Sequence, residues 1–139
     1  LGRAITVRDG GDLCLISTGG LLETALQVAD GLAQEGVQTR VLSMHTVEPL
    51  DVEAVVAAAR ETGAIVTLEE HSVRGGLGSA VAEVLAESGE SRVPFKRLGL
   101  PSSFSDHVGS QEYLRDKFGV SPPAIRESLD TILQKCRGL

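Results

Sequence analysis

Residues 64–87 read AIVTLEEHSVRGGLGSAVAEVLAE, and this run holds a strand, a glycine-rich turn and a helix in succession. Ala64 to Leu68 is short, apolar and rich in Ile, Val and Thr, the composition of a strand buried on both faces of a parallel sheet. Polar chemistry begins where that strand ends. Glu69, Glu70 and His71 stand at its carboxyl end, Gly75, Gly76 and Gly78 allow the backbone to turn sharply, and Ser79 is placed to cap the helix that follows. Ala80, Val81, Val84 and Leu85 recur at helical spacing, so one stripe of that helix packs on the sheet while Glu83 and Glu87 face water.

The glycines admit three readings. A dinucleotide fingerprint requires G-x-G-x-x-G directly after a strand, whereas Gly76, Gly78 and Val81 give G-x-G-x-x-V, separated from Leu68 by residues 69–75. A phosphate-cradling loop requires Gly-Lys-Ser or Gly-Lys-Thr, and neither tripeptide occurs in the chain. The remaining reading is that they let loop and helix pack closely on the sheet.

Outward from this run the pattern repeats. Thr39 to Met44 reads as a strand, Asp51 as the cap of a helix reaching about Thr62, and Gly63 as its terminator. Upstream, Leu13 to Thr18 is an apolar strand closed by Ser17, Thr18, Gly19 and Gly20. These open a helix with the stripe Leu22, Ala25, Leu26, Ala29, Leu32 and Ala33, ended by Gly36. Ser17 and Thr18 read either as caps of that helix or as part of an anion site at its free N–H groups. Ala4 to Arg8 reads as another strand, and with Asp9-Gly10-Gly11-Asp12 as a turn the local signal is a hairpin. Downstream, Val93 to Leu98 is a fifth strand, and Pro94 assigns it to an edge because proline donates nothing to a ladder. Two helices close the chain, one capped by Ser110 and ended by Gly119. The other is capped by Ser121, with Pro122 in its first turn and the stripe Ile125, Leu129, Ile132, Leu133 and Cys136.

At 139 residues the chain suits one domain, residues 1–139, able to bury about two-thirds of its unfolded surface without a staple. A formal net charge of −6, a pI near 5.0 and scattered Lys and Arg argue against nucleic acid as a partner. No apolar run approaches a membrane span, so no membrane partner is expected and the cytoplasm is the expected location. Cys14 and Cys136 form no C-x-x-C and share no metal-ligand spacing with His45, His71 or His107, so both read as free thiols and no metal site is expected. His45 and the pair Asp106 and His107 read as polar loop residues, since no nucleophile or second ligand accompanies them.

E-E-H-x-x-x-G-G-L-G-S-A-V-A-E, from Glu69 to Glu83, resembles the carboxy-terminal domain of the thiamine-diphosphate-dependent transketolases, which is similar to the last domain of deoxyxylulose-phosphate synthases and 2-oxoacid dehydrogenase β-subunits. GRAITVRDGGDLCLISTG, TRVLSMHTVEPLD and GSQEYLRDKFGVSPPAI agree with the same family in order, so the resemblance covers nearly the whole chain. It implies a three-layer α/β/α fold with a five-stranded mixed sheet in the order 1-3-2-4-5, the first strand antiparallel and beside the third. It also implies a piece of a longer chain, Leu1 falling near the junction with two preceding domains.

The order 3-2-4 sends the chain to opposite sides after the second and fourth strands and leaves a crevice between their carboxyl ends. Ser17, Thr18, Gly19, Glu69, His71, Gly75 and Gly76 are therefore the candidate anion or small-molecule site, the basis of an alternative reading as a freestanding binding module, or else residues of a domain interface. The resemblance assigns thiamine diphosphate, Mg²⁺ and the substrate-binding histidines to the preceding domains. This domain is then expected to bind no cofactor and to hold no catalytic residue, His71 included. It implies as partners those preceding thiamine-binding domains or a separate N-terminal subunit, within a homodimer of the complete enzyme that transfers a two-carbon ketol unit between sugar phosphates.

Overall fold

A computed structural model describes residues 2–69, 76–99 and 122–136. Five strands, β1 (Ile5–Arg8), β2 (Leu13–Ser17), β3 (Thr39–Ser43), β4 (Ile65–Glu69) and β5 (Phe95–Gly99), form one sheet in the order β1-β3-β2-β4-β5. β2 is parallel to β3 on one side and to β4 on the other, β5 is parallel to β4, and β1 alone runs antiparallel, along β3. The helices are α1 (Leu22–Gln34, entered through a 3₁₀ turn at Gly19–Leu21), α2 (Val52–Glu61), α3 (Leu77–Glu87), α4 (Pro122–Ser128) and α5 (Asp130–Cys136).

Strand alternation divides the core in two. Leu13, Leu15, Val41, Val66 and Leu68 face α1, α4 and α5, meeting Ala25, Val28, Leu32, Ile125, Leu129 and Ile132. Cys14, Ile16, Leu42 and Ile65 face α2 and α3, meeting Val55, Ala58, Leu77, Val81 and Leu85. The three layers and the strand order implied by the family resemblance are thus present.

The hairpin suggested by the local sequence is absent. β2 is buried along its whole length and takes a parallel neighbour on each edge, which leaves β1 no place beside it. The Asp9–Asp12 turn instead carries the chain past β3. Asp9 accepts from the Gly10 N–H (2.8 Å) and from Arg40 Nε (3.0 Å), and Asp12 accepts from the Gln38 N–H (2.8 Å). Asp51 caps α2 by accepting from the Ala54 N–H (3.1 Å), and its second oxygen accepts from the Ala4 N–H (2.7 Å), tying the start of β1 to the same helix.

Other expectations shift in detail. The buried stripe of α1 includes Val28, with Leu21 of the preceding 3₁₀ turn buried beside it, while Leu22 and Leu26 are only partly buried. Gly36 ends this helix at φ +83°, with its N–H bonded to Ala33 and that of Val37 to Leu32. Pro94 lies just before β5, lending its carbonyl to the Ile65 N–H (2.9 Å), and β5 is an edge strand. The final helix is divided at Leu129, whose N–H is shared between the Ile125 and Arg126 carbonyls, yet the stripe from Ile125 to Leu133 stays buried. Arg126 clasps Glu35 at the end of α1 through Nε (2.8 Å) and Nη2 (2.5 Å) and reaches Asp130 through Nη1 (2.6 Å). The helix expected between Ser110 and Gly119 lies outside the described residues, as do Asp106 and His107.

Two glycines should respond oppositely to a methyl group. A Cβ at Gly10 would stand 2.6 Å from the backbone of Gln38 and Thr39, whereas at Gly31, exposed in α1, it would meet nothing within 4 Å. Gly10→Ala should lose roughly 2–4 kcal/mol of stability and Gly31→Ala gain about 0.5–1 kcal/mol, read as opposite shifts of the urea midpoint.

Candidate functional site

The crevice is bounded by the ends of β2 and β4, which lie side by side with Ser17 level with Leu68. After β2 the chain leaves through Thr18 toward α1 on one face of the sheet, and after β4 it returns as α3 on the other. The Thr18 N–H donates to the Leu68 carbonyl (3.3 Å) and its own carbonyl accepts from Leu21 (3.4 Å), which fixes the first turn after β2. The Met44 N–H donates to the Ser17 carbonyl (2.9 Å), completing the rim on the β3 side.

The candidate residues do not all converge on this opening. By alternation Ser17 lies on the α1 face, in line with Leu13 and Leu15, and Glu69 on the α3 face, in line with Ile65 and Thr67. Ser17 is fully buried and its hydroxyl has no hydrogen-bond partner among the described residues. Neither Ser17 nor Thr18 caps the helix, since the turn beginning at Gly19 carries no side-chain cap. Gly76 immediately precedes α3, while His71 and Gly75 lie outside the described residues.

Glu69 has a definite task that the sequence pattern missed. It is 3% exposed, and its Oε2 accepts from the Leu77 N–H at 2.5 Å, the first residue of α3. Its carboxylate therefore occupies the positive end of α3, where an external anion would otherwise be held. Ser79, expected to be the cap, sits inside the first turn and accepts from Arg97 Nη1 (3.2 Å). Local cap patterns look within a few residues of the helix start, whereas Glu69 reaches across from the strand.

Both neighbouring glycines follow from this arrangement. A Cβ on Gly76 would lie 2.7 Å from each Glu69 carboxylate oxygen. One on Gly78 would lie 2.6 Å from Arg97 Cδ and 3.0 Å from Thr67 Oγ1. The glycines thus permit close packing of helix on sheet, and the backbone approaches a carboxylate of its own chain.

Among the described residues no group of three or more His, Cys, Asp or Glu is arranged to hold a metal ion. The Asp9–Asp12 carboxylates are engaged with Gly10, Arg40 and Gln38, so they do not fit a metal–diphosphate site. Burial pushes the Cys14 thiol up to about 12, which makes it a packing residue and a poor nucleophile. His45 is exposed beyond the end of β3.

A three-layer sheet of this order, with its crevice at the point where the chain reverses direction, defines the class of open α/β domains. The family model described as "Transketolase, C-terminal domain" matches residues 2–125, and the chain belongs to that family. It is 42% identical over 135 residues to a 6-deoxy-6-sulfo-D-fructose transketolase subunit from Clostridium sp. (strain MSTE9), covering 97% of this chain and 41% of that protein. It is 43% identical over 129 residues to an apulose-4-phosphate transketolase subunit from Phocaeicola vulgatus, covering 90% and 40%. A 1-deoxy-D-xylulose-5-phosphate synthase from Desulforudis audaxviator is 40% identical over 121 residues, covering 87% and 19%. The chain therefore spans about two-fifths of the transketolase subunits and about one-fifth of the synthase. Among solved structures, a split-gene transketolase described as an inactive β4 tetramer superposes with a TM-score of 0.87 at 38% identity, covering 98% of this chain and 44% of that one.

The Glu69–Gly76 contact should behave as one unit. Glu69→Ala strands a buried N–H and opens a cavity, and should cost roughly 2–4 kcal/mol, whereas Glu69→Gln, which keeps an acceptor, should cost about 1 kcal/mol. Gly76→Ala should destabilise the wild-type chain but have little further effect in the Glu69→Ala background. A double-mutant cycle of unfolding free energies gives the coupling, and strict additivity would contradict the contact.

Proposed function

We propose that this chain is the C-terminal domain of a transketolase that moves a two-carbon ketol unit between sugar phosphates, and that its part is assembly. The observation that carries the reading is the near-complete match to transketolase subunits more than twice as long, combined with a crevice whose one described carboxylate is spent on a helix end. In this reading thiamine diphosphate and Mg²⁺ are held by preceding domains or by a separate subunit. The cofactor supplies the carbanion chemistry there, while this domain contributes a rigid surface to the homodimer of the complete enzyme. The subunit names of the two transketolase relatives favour a separate partner chain.

The identity to a 1-deoxy-D-xylulose-5-phosphate synthase supports a second reading, the equivalent domain of such a synthase. Supplying the chain with the thiamine-binding part of a relative of each kind, then assaying ketol transfer between sugar phosphates against formation of 1-deoxy-D-xylulose 5-phosphate, separates the two.

The division of labour has its own check. Titrated with thiamine diphosphate and Mg²⁺ in a calorimeter, residues 1–139 alone should give no saturable heat at ligand concentrations up to ~100 μM, and a micromolar isotherm would overturn the assignment.

A further inference from the structure

A groove of about 160 Å³ opens between β5 and α5, lined by Pro94, Phe95, Lys96, Thr131, Ile132 and Lys135. Lys96 is level with Val66, whose side chain faces the α1, α4 and α5 layer, so Lys96 stands on the α5 side of the sheet. Thr131 and Lys135, four residues apart, share one face of α5. These three side chains are exposed, while Ile132 between them is buried.

The charge of this groove is unlike that of the rest of the surface. In a chain of net charge −6, lysine occurs only at positions 96, 117 and 135, and two of those three line this one opening. No carboxylate lines it. Arg8, Arg40, Arg60 and Arg126 each hold a carboxylate, whereas among the described residues neither Lys96 nor Lys135 has an ion-pair partner. A lysine on an edge strand guards against pairing with another chain, and a lysine in a last turn suits the negative end of a helix. Each role accounts for one lysine singly, and neither requires the two to meet over one opening free of carboxylates.

We propose that this groove binds the phosphate group of a small phosphate monoester, with Lys96 and Lys135 supplying the charge and Thr131 a hydroxyl. A monoester carries close to two negative charges at neutral pH, which two ammonium groups balance. The volume equals the share of about five water molecules in the liquid, room for the phosphate and a few further atoms, so the organic part is small. Lysine meets phosphate as a mobile point charge without the fixed fork of arginine, and the groove is open to water. Dissociation constants on the order of 1–10 mM are therefore expected, weakening as salt is added.

This site is independent of the proposed enzyme function, and its loss would leave that reading intact. Glycerol 3-phosphate titrated into residues 1–139 at constant ionic strength should move the amide resonances of Lys96, Thr131 and Lys135 along one saturation curve. Lys96→Gln and Lys135→Gln should each weaken binding by about fivefold or more, the loss of one charge contact near the surface. Both side chains are exposed, so the thermal midpoint should hold and confirm that each variant is folded. Shifts that centre on other residues, the same shifts with potassium chloride at equal ionic strength, or folded lysine variants that bind as the wild type does would each overturn the proposal.

Discussion

Every backbone edge and both faces of β2 are occupied. Leu13 to Ser17 are all buried, with β3 hydrogen-bonded on one side and β4 on the other. A strand in that position cannot face water anywhere, so its alternate side chains require a helical layer above and another below. α1, α4 and α5 supply one layer, α2 and α3 the other. The crossovers must then leave from opposite faces at the ends of β2 and β4, and the crevice between those ends follows from burying a single strand.

What occupies that crevice is decided by charge as much as by shape. The start of α3 presents unpaired N–H groups in a buried place, and orphan donors there must be satisfied. Glu69 meets one of them, and Gly76 and Gly78 bring the helix close enough for it to do so. The start of α3 is thereby bonded to a carboxylate of its own chain.

The layers were legible because their signals are local. Apolar runs at Leu13–Ser17 and Ala64–Leu68, the helical stripe of α3 and the Asp51 cap all lie within a few consecutive residues. The pairing of β1 with β3 was not, since Asp9-Gly10-Gly11-Asp12 carries the chemistry of a tight turn and nothing near it refers to residues 41–43. That order was supplied by family resemblance. At the site, the strand ends and glycines could be placed, but the burial of Glu69 and its bond to Leu77 depend on tertiary proximity. The opposite facing of Ser17 and Glu69 follows from alternation once β2 and β4 are paired in register. It needed the register, which composition does not contain.

The Arg126–Glu35 clasp joins positions far apart in the chain, and Ile125, Leu129, Ile132 and Leu133 complete the same side of the core as α1. During synthesis, at roughly 5–20 residues per second, β1 through β5 can emerge with α2 and α3 already closing one face. The opposite face, where α1 already lies, stays incomplete until the segment 122–136 has left the ribosome. The apolar side chains that Ile125, Leu129, Ile132 and Leu133 cover are therefore exposed for several seconds in each newborn chain, and in that interval that surface of α1 is open to chaperones and to neighbouring nascent chains.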